Sequence, residues 1–492
     1  MVLRLILAAA LAQAAASAAG AAEPEPALLE RLEQLRRIAR QTGADLWPGW
    51  DPSATPLAIY KGTEMGVLVG HPAPPANFRR FSTTAVSAPV FVADSTAGMV
   101  RANTAQPFAG TLTSFLSHQD FMGKPAVDAL ATGIHELFHA HQQRIAPRKF
   151  GDILMVLWGK YPEFSARNRA LLALEAELLH RAATATDPDQ ARKSAAGFLA
   201  LRAERRKDLT LEQRRYESGE ESSEGLARYV EFRLLQLLPA AAPDFKEAAE
   251  AAGKRLEPLK NINGLERDRE RFYALGMAQG IVLDRLRAGW KTEFDAGPLL
   301  LDELLTAEAP PSAADAAPLM EQLSFRRVLE EQEKAVRERR EQGTQRLAAL
   351  VSTPGQRVVV EVGAVKNKIA LRGINPNGTV ALTHDQVAHT FLLLDLGSEP
   401  ETRMRMEFRG VPAIYDRVQD AFWFVLPAGA VAKAVEAFAA SPATGRLVIQ
   451  AEGFSGEFTG VEVERRSREL RVRPAKDLKR APALKPPEFI RP

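Results

Sequence analysis

Ala131-Thr132-Gly133-Ile134-His135-Glu136-Leu137-Phe138-His139-Ala140-His141-Gln142 is the stretch from which the rest of the chain can be read. On a helix, residues four apart share a face, so His135 and His139 can offer two imidazole nitrogens to one tetrahedral ion. Glu136 stands beside them without ligating, where a carboxylate can take a proton from an ion-activated water and pass it on. Val127, Leu130, Ile134, Leu137 and Phe138 give the helix the apolar flank it needs for burial. His141 points well away from His139 and reads as a supporting residue, not a ligand. His71, His118, His180, His384 and His389 have no ligand spacing.

Two imidazoles leave a catalytic zinc one protein ligand short, so a His, Asp or Glu further along the chain is required. The best candidate is Glu224, in Glu221-Ser222-Ser223-Glu224-Gly225-Leu226-Ala227-Arg228-Tyr229-Val230-Glu231, which opens a helix running on through Leu238. Glu217, Glu220 and Glu221 compete for the role, Glu221 and Glu217 foremost, as do Glu175 and Glu177.

At these residues the sequence resembles the aminopeptidase-N-like family of gluzincin zinc metallopeptidases. In that family a helix carrying Glu-Gly-x-Ala-x-Tyr supplies the third zinc ligand from its first Glu, which corresponds to Glu224. Arg271-Phe272-Tyr273-Ala274-Leu275-Gly276 is similar to the family's Tyr-x-x-Gly helix, whose tyrosine stabilises the oxyanion, a role that would fall to Tyr273. The resemblance runs in order from about Gly133 to Leu305. It implies a peptidase with one Zn2+ held by His135, His139 and Glu224, Glu136 as general base, and a peptide or protein as substrate. Two departures stand out. The family's Gly-Ala-Met-Glu-Asn motif is absent, so aminopeptidase activity is not implied, and His139 lies much further from Glu224 than in the family. An inserted helical pair around Phe164–Ala183 and Ala191–Arg206 accounts for that distance.

Outward from the motif, Pro26–Thr42 has the spacing of an amphipathic helix. Residues 57–60, 66–69 and 89–92 are short, β-rich segments suited to a small sheet beside the motif helix. Helical pattern dominates from Pro125 to about Leu350, ending in a strongly charged and solvated helix. Beyond Pro354 the period changes to alternation, with eight strand-like segments and an Asn377-Gly378 hairpin signal. The expected fold class is α+β multidomain: a mostly helical zincin-like domain with a small β element (23–320), a charged helical connector (321–353) and a β-sandwich-like accessory domain (354–474). A basic, Pro-rich tail (475–492) is expected to be disordered.

Residues 1–22 have the layout of a secretory signal peptide, Met-Val-Leu-Arg followed by an apolar run and small residues. An exported protein, periplasmic or secreted and bacterial in style, is expected, with no stable membrane span once the signal is cleaved. The absence of cysteine excludes disulfides, thiolate zinc ligands, a cysteine nucleophile and a lipid-modified cysteine. Lys plus Arg at 64 against Asp plus Glu at 61 leaves a net charge of +3, too small to suggest nucleic-acid binding. Neither a Gly-x-Ser-x-Gly turn nor a Gly-rich phosphate loop is present. The alternative function is a catalytically idle zinc-fold envelope protein whose β domain binds a partner or glycan. The sequence leaves oligomeric state open.

Overall fold

The computed structural model describes residues 23–265, 268–312, 315–398, 402–440 and 446–475. The expected signal peptide and the expected tail from residue 476 onward lie outside the described residues. The architecture is a mixed α+β one, a helical body with a small sheet followed by a many-stranded β region.

Helix Pro26–Leu46 starts on a proline, whose fixed φ suits the first helical position, and buries Leu28, Leu29, Leu32, Leu35 and Ile38 against the motif helix Ala126–Ile145. Beside them lies a six-stranded sheet. Its strands are β1 (Leu57–Lys61), β2 (Met65–Val69), β3 (Arg79–Phe81), β4 (Val90–Ala93), β5 (Thr104–Phe108) and β6 (Thr111–Ser117), in the order β3-β4-β2-β1-β6-β5. All pairs are antiparallel except β1 with β6. Apolar patterning marks β1, β2 and β4, whereas β3 carries Arg79-Arg80 and β5 contains Pro107, tolerable because both are edge strands. Ile59, Val67, Val92 and Leu116 face the helices, and the opposite face closes over Ala58, Leu68 and Phe115. Ser114 of β6 donates from Oγ to the Glu136 carbonyl at 2.9 Å, and the Gln143 amide donates to the Ala105 carbonyl of β5, tying sheet to motif helix.

The helical pair expected between motif and Glu224 is Ala166–Thr184 and Pro188–Arg205. After it comes a rod that begins at Leu211 behind a Thr210/Gln213 capping box, passes through a π-helical turn at Glu221–Gly225 and continues as Leu226–Ala241. Helix Glu270–Leu286 crosses this rod. At the crossing a Cβ on Gly276 would stand 2.2 Å from the Glu221 carbonyl oxygen, and one on Gly225 2.5 Å from the Gly276 Cα, so only glycine at both positions allows this approach.

The β region contains β7 (Gln356–Glu361), β8 (Ile369–Ile374), β9 (Thr379–Ala381), β10 (Gln386–Gly397), β11 (Arg403–Asp416), β12 (Ala421–Leu426), β13 (Arg446–Ala451), β14 (Phe454–Thr459), β15 (Val461–Arg466) and β16 (Glu469–Pro474). They form one hydrogen-bonded sheet in which the long β10 and β11 are shared. Inward residues such as Val358, Leu394, Met406, Phe424, Ile449 and Val472 meet in a single cluster, so the sheet curls around its own core in sandwich-like fashion. The sequence pattern omits β14, β16 and helix Ala428–Ala440. Asn377-Gly378 does not make a type I′ hairpin. Neither residue has positive φ, and β8 and β9 both pair with β10 instead of each other. Pro376 fixes a negative φ, and the Asn377 amide donates to the Asn375 side chain, closing a different turn.

The charged helix, Phe325–Ser352, is less solvated than its composition suggests. Val336 and Gly343 are buried, Arg339 forms a two-pronged ion pair with Asp268, and Leu347 and Leu350 pack on the outer face of the β region beside Trp423 and Ile414. A second link is the short helix Leu154–Leu157. Leu157 and Trp158 belong to the β region's core cluster, with the Trp158 ring 4.8 Å from that of Tyr415, and His389 Nε2 bonds the Leu157 carbonyl at 3.1 Å. Trp158→Ala should cost about 3–5 kcal/mol, the range for deleting a large buried aromatic ring. Thermal unfolding together with limited proteolysis of the β region should show a lower midpoint and faster cleavage; an unchanged midpoint would mean that the tryptophan does not join the two regions.

Candidate metal centre

His135 and His139 project from one face of the motif helix, and Glu224 reaches them from the π-turn. Their ligand atoms all lie within 4.8 Å of one another. Glu224 Oε2 is 3.4 Å from His135 Nε2 and 3.5 Å from His139 Nε2. Zinc bonds of roughly 2.0–2.1 Å arranged tetrahedrally require donor separations of about 3.3–3.4 Å, which the two His–Glu224 separations match, so this donor set could hold a metal ion. His135, His139 and Glu224 keep 9%, 14% and 16% of their side-chain surface exposed, enough for solvent to reach the site.

The remaining imidazole nitrogens are held by acceptors that the sequence reading did not single out. His135 Nδ1 donates to Glu231 Oε1 at 2.7 Å, and His139 Nδ1 to Gln142 Oε1 at 2.9 Å. Each such bond places the hydrogen on Nδ1 and turns the Nε2 lone pair inward, as a ligating histidine requires. The Gln142 amide also donates to the Ser222 and Ser223 carbonyls at 3.0 and 2.8 Å, strapping the motif helix to the π-turn. Glu231 was legible in principle, standing about two helical turns past Glu224. His141 lies apart from the triad, stacked on Phe138 and 3.4 Å from Asp295 Oδ2.

Glu224 Oε1 is held by Arg269 Nη2 at 3.1 Å. Burial works against its charge, but Arg269 and His139 outweigh burial and keep the carboxyl well below its ordinary range. Burial likewise disfavours the His135 cation, yet Glu224 and then Glu231 push that group up to about 10, the same field that favours a metal cation here. Glu136 is buried beside the triad, and its Oε2 has no hydrogen-bond partner. Burial pushes its carboxyl up to about 7, against the pull of His135 and His139. The Tyr273 ring lies 6.4 Å from that of His135, and its hydroxyl accepts from Arg269 Nη1 at 2.7 Å.

The competing carboxylates are engaged elsewhere. Arg202 grips both oxygens of Glu221 at 2.5 and 2.8 Å, Arg205 and Arg206 pair with Glu217, and Arg202 and Arg205 share Glu175. Glu220 meets Arg269 Nε at 2.6 Å, and Glu177 forms a surface pair with Arg181. A cavity of about 590 Å³ lies between the helical body, the charged helix and the β region. Arg269, Tyr216 and Arg339 line it, whereas none of the triad does, so the donor set and not the cavity locates the candidate chemistry. No protein-family model matches the chain, and neither a curated protein nor a solved structure matches it.

The buried arginine network has a pH signature. Burial raises the Glu217 carboxyl, but Arg205 and Arg206 outweigh it and hold the group at about 2, below its ordinary 4.5. A group depressed in the folded state contributes stability that is complete above its unfolded value and is lost as pH falls through the folded one, here about 3 kcal/mol between roughly pH 5 and pH 2. The stability deficit of Glu217→Gln should therefore be largest at neutral pH and shrink through that window, as read by denaturant unfolding at pH 7, 5 and 3. A deficit independent of pH would contradict the assignment.

Proposed function

We propose that the chain is an exported zinc-dependent metallopeptidase in which His135, His139 and Glu224 hold the ion. The observation that carries this reading is Glu136, a buried carboxylate with an unpartnered oxygen beside a three-donor cluster that could hold a metal ion. A purely structural metal site has no use for such a group, and burying it unpaired costs stability. Two imidazoles and one carboxylate suit zinc.

When bound, the ion supplies a Lewis acid that acidifies water and polarises an amide carbonyl. Glu136 takes a proton from water as the water oxygen bonds to the carbonyl carbon. It returns a proton to the amine nitrogen as the C–N bond breaks, so the carboxylate ends as it began. The Tyr273 hydroxyl donates to the oxygen on which negative charge develops. Glu231 and Gln142 hold the two imidazoles in the ligating tautomer throughout. The expected substrate is a peptide or protein outside the cytoplasm, in keeping with the signal-like residues 1–22. Among the described residues no helix is long and apolar enough to cross a membrane.

The test combines metal analysis with a peptide-library assay on the purified protein. Wild type should carry one zinc, His139→Ala and Glu224→Ala should lose it, and Glu136→Gln should keep it while hydrolysis falls by about a hundred- to ten-thousand-fold. A Glu136→Gln protein as active as wild type would favour the idle zinc-fold alternative, and a wild type without metal would sink the metallopeptidase.

A further inference from the structure

Arg269 belongs to none of the motifs, yet Glu224, Tyr273 and Glu220 all meet on it. Its Nη2 lies 3.1 Å from Glu224 Oε1, its Nη1 donates to the Tyr273 hydroxyl oxygen at 2.7 Å, and its Nε stands 2.6 Å from Glu220 Oε2. The side chain is 13% exposed and Glu220 2%, so the arrangement is fixed from within the protein.

A carboxylate can bind a metal through one oxygen or through both, and the second mode would occupy a position that a hydrolytic site keeps open for water or substrate. Glu224 divides its oxygens. Oε2 faces the two imidazoles, while Oε1 is turned to Arg269. Arginine has donors and no acceptor, so the phenol oxygen of Tyr273 must accept from it, and the single phenolic hydrogen goes to the Glu224 carboxylate. Lysine could replace the charge, but not a planar fork that reaches three partners at once.

We propose that Arg269 is a positioning residue that keeps Glu224 a one-oxygen metal ligand and fixes the Tyr273 hydroxyl beside it. The role rests on the metallopeptidase reading above and adds to it a determinant of open coordination. Glu220 anchors the guanidinium and so belongs to the same device.

Cobalt(II) titrated into the purified full chain reports both affinity and coordination number, because four-coordinate cobalt absorbs visible light far more strongly than five- or six-coordinate cobalt. Wild type should bind one cobalt with the strong four-coordinate spectrum. Arg269→Met should bind about ten- to a hundred-fold more weakly, the usual effect of losing an outer partner of a metal ligand, with the weaker absorption of higher coordination. Arg269→Lys should recover affinity but not the spectrum. A role confined to stability would lower the melting temperature and leave the cobalt spectrum unchanged, and that result would overturn the proposal. Should Arg269→Met fail to fold, Glu220→Gln reads the same quantity, with a smaller loss expected in the same direction and an unchanged spectrum overturning the role. Wild-type protein that binds no cobalt would overturn the metal reading and this role with it, whereas wild-type binding with unaltered variants would overturn this role alone.

Discussion

A carboxylate taken into a protein interior has to meet a cation, and four neighbouring ones on one helical rod turn to the inside of this protein. Glu217, Glu220, Glu221 and Glu224 are all within one short stretch, and each left unpaired would cost several kcal/mol. Arg205 and Arg206 take Glu217, Arg202 takes Glu221, and Arg269 takes Glu220 together with one oxygen of Glu224. What is left over is Glu224 Oε2, the oxygen facing two imidazoles. The pair Ala166–Thr184 and Pro188–Arg205 thus does more than lengthen the chain between motif and Glu224. It supplies Arg202 and Arg205, and Glu175 between them, by which the neighbouring acids are neutralised.

Backbone geometry separates Glu224 from its competitors. In an unbroken α-helix Glu217, Glu221 and Glu224, at i, i+4 and i+7, would share one face. The π-turn at Glu221–Gly225 changes the rotation between them, so that Glu221 faces Arg202 while Glu224 faces the motif helix. A widened turn exposes backbone, and here the gap is filled by the neighbouring helix: Gly276 lies against the Glu221 carbonyl, and Gln142 donates to the carbonyls of Ser222 and Ser223. The glycines of Glu-Gly-Leu-Ala-Arg-Tyr and Tyr-Ala-Leu-Gly are therefore one feature, the two sides of a single helix crossing.

That difference sets how much could be read in advance. The motif helix, the helical pair after it and the change of period near Pro354 were legible because each rests on local spacing, and Glu224 led because its surroundings resemble the Glu-Gly-x-Ala-x-Tyr pattern. The choice between Glu224 and Glu221 was not settled by spacing, since helical periodicity puts both on one face and a π-turn has no sequence signature of its own. Arg269 and Gln142 carry a charge and an amide of kinds found on any helix, and only tertiary contact gives them a role at the candidate metal centre. The Asn377-Gly378 turn misled because Pro376 and the Asn375 side chain decide its geometry. Edge strands β3 and β5 lack apolar alternation because an edge need not be buried on both faces.

The β region reads in the sequence as an accessory domain on a charged tether, but its contacts describe something more integrated. Leu157 and Trp158 come from the helical body and complete the β core, while Leu347 and Leu350 of the charged helix cover its outer face. The same helix grips Asp268 with Arg339, and Asp268 immediately precedes Arg269. A tether free to swing would need a solvated joint, and both joints here are packed. The residue that holds Glu224 thus starts one position after a side chain clamped by the connector, and the connector is itself clamped by the β region. Support of Glu224 extends in this way from the imidazoles through Arg269 and Asp268 to a sheet that begins at Gln356, which gives the β region a structural reason to be attached whatever it binds.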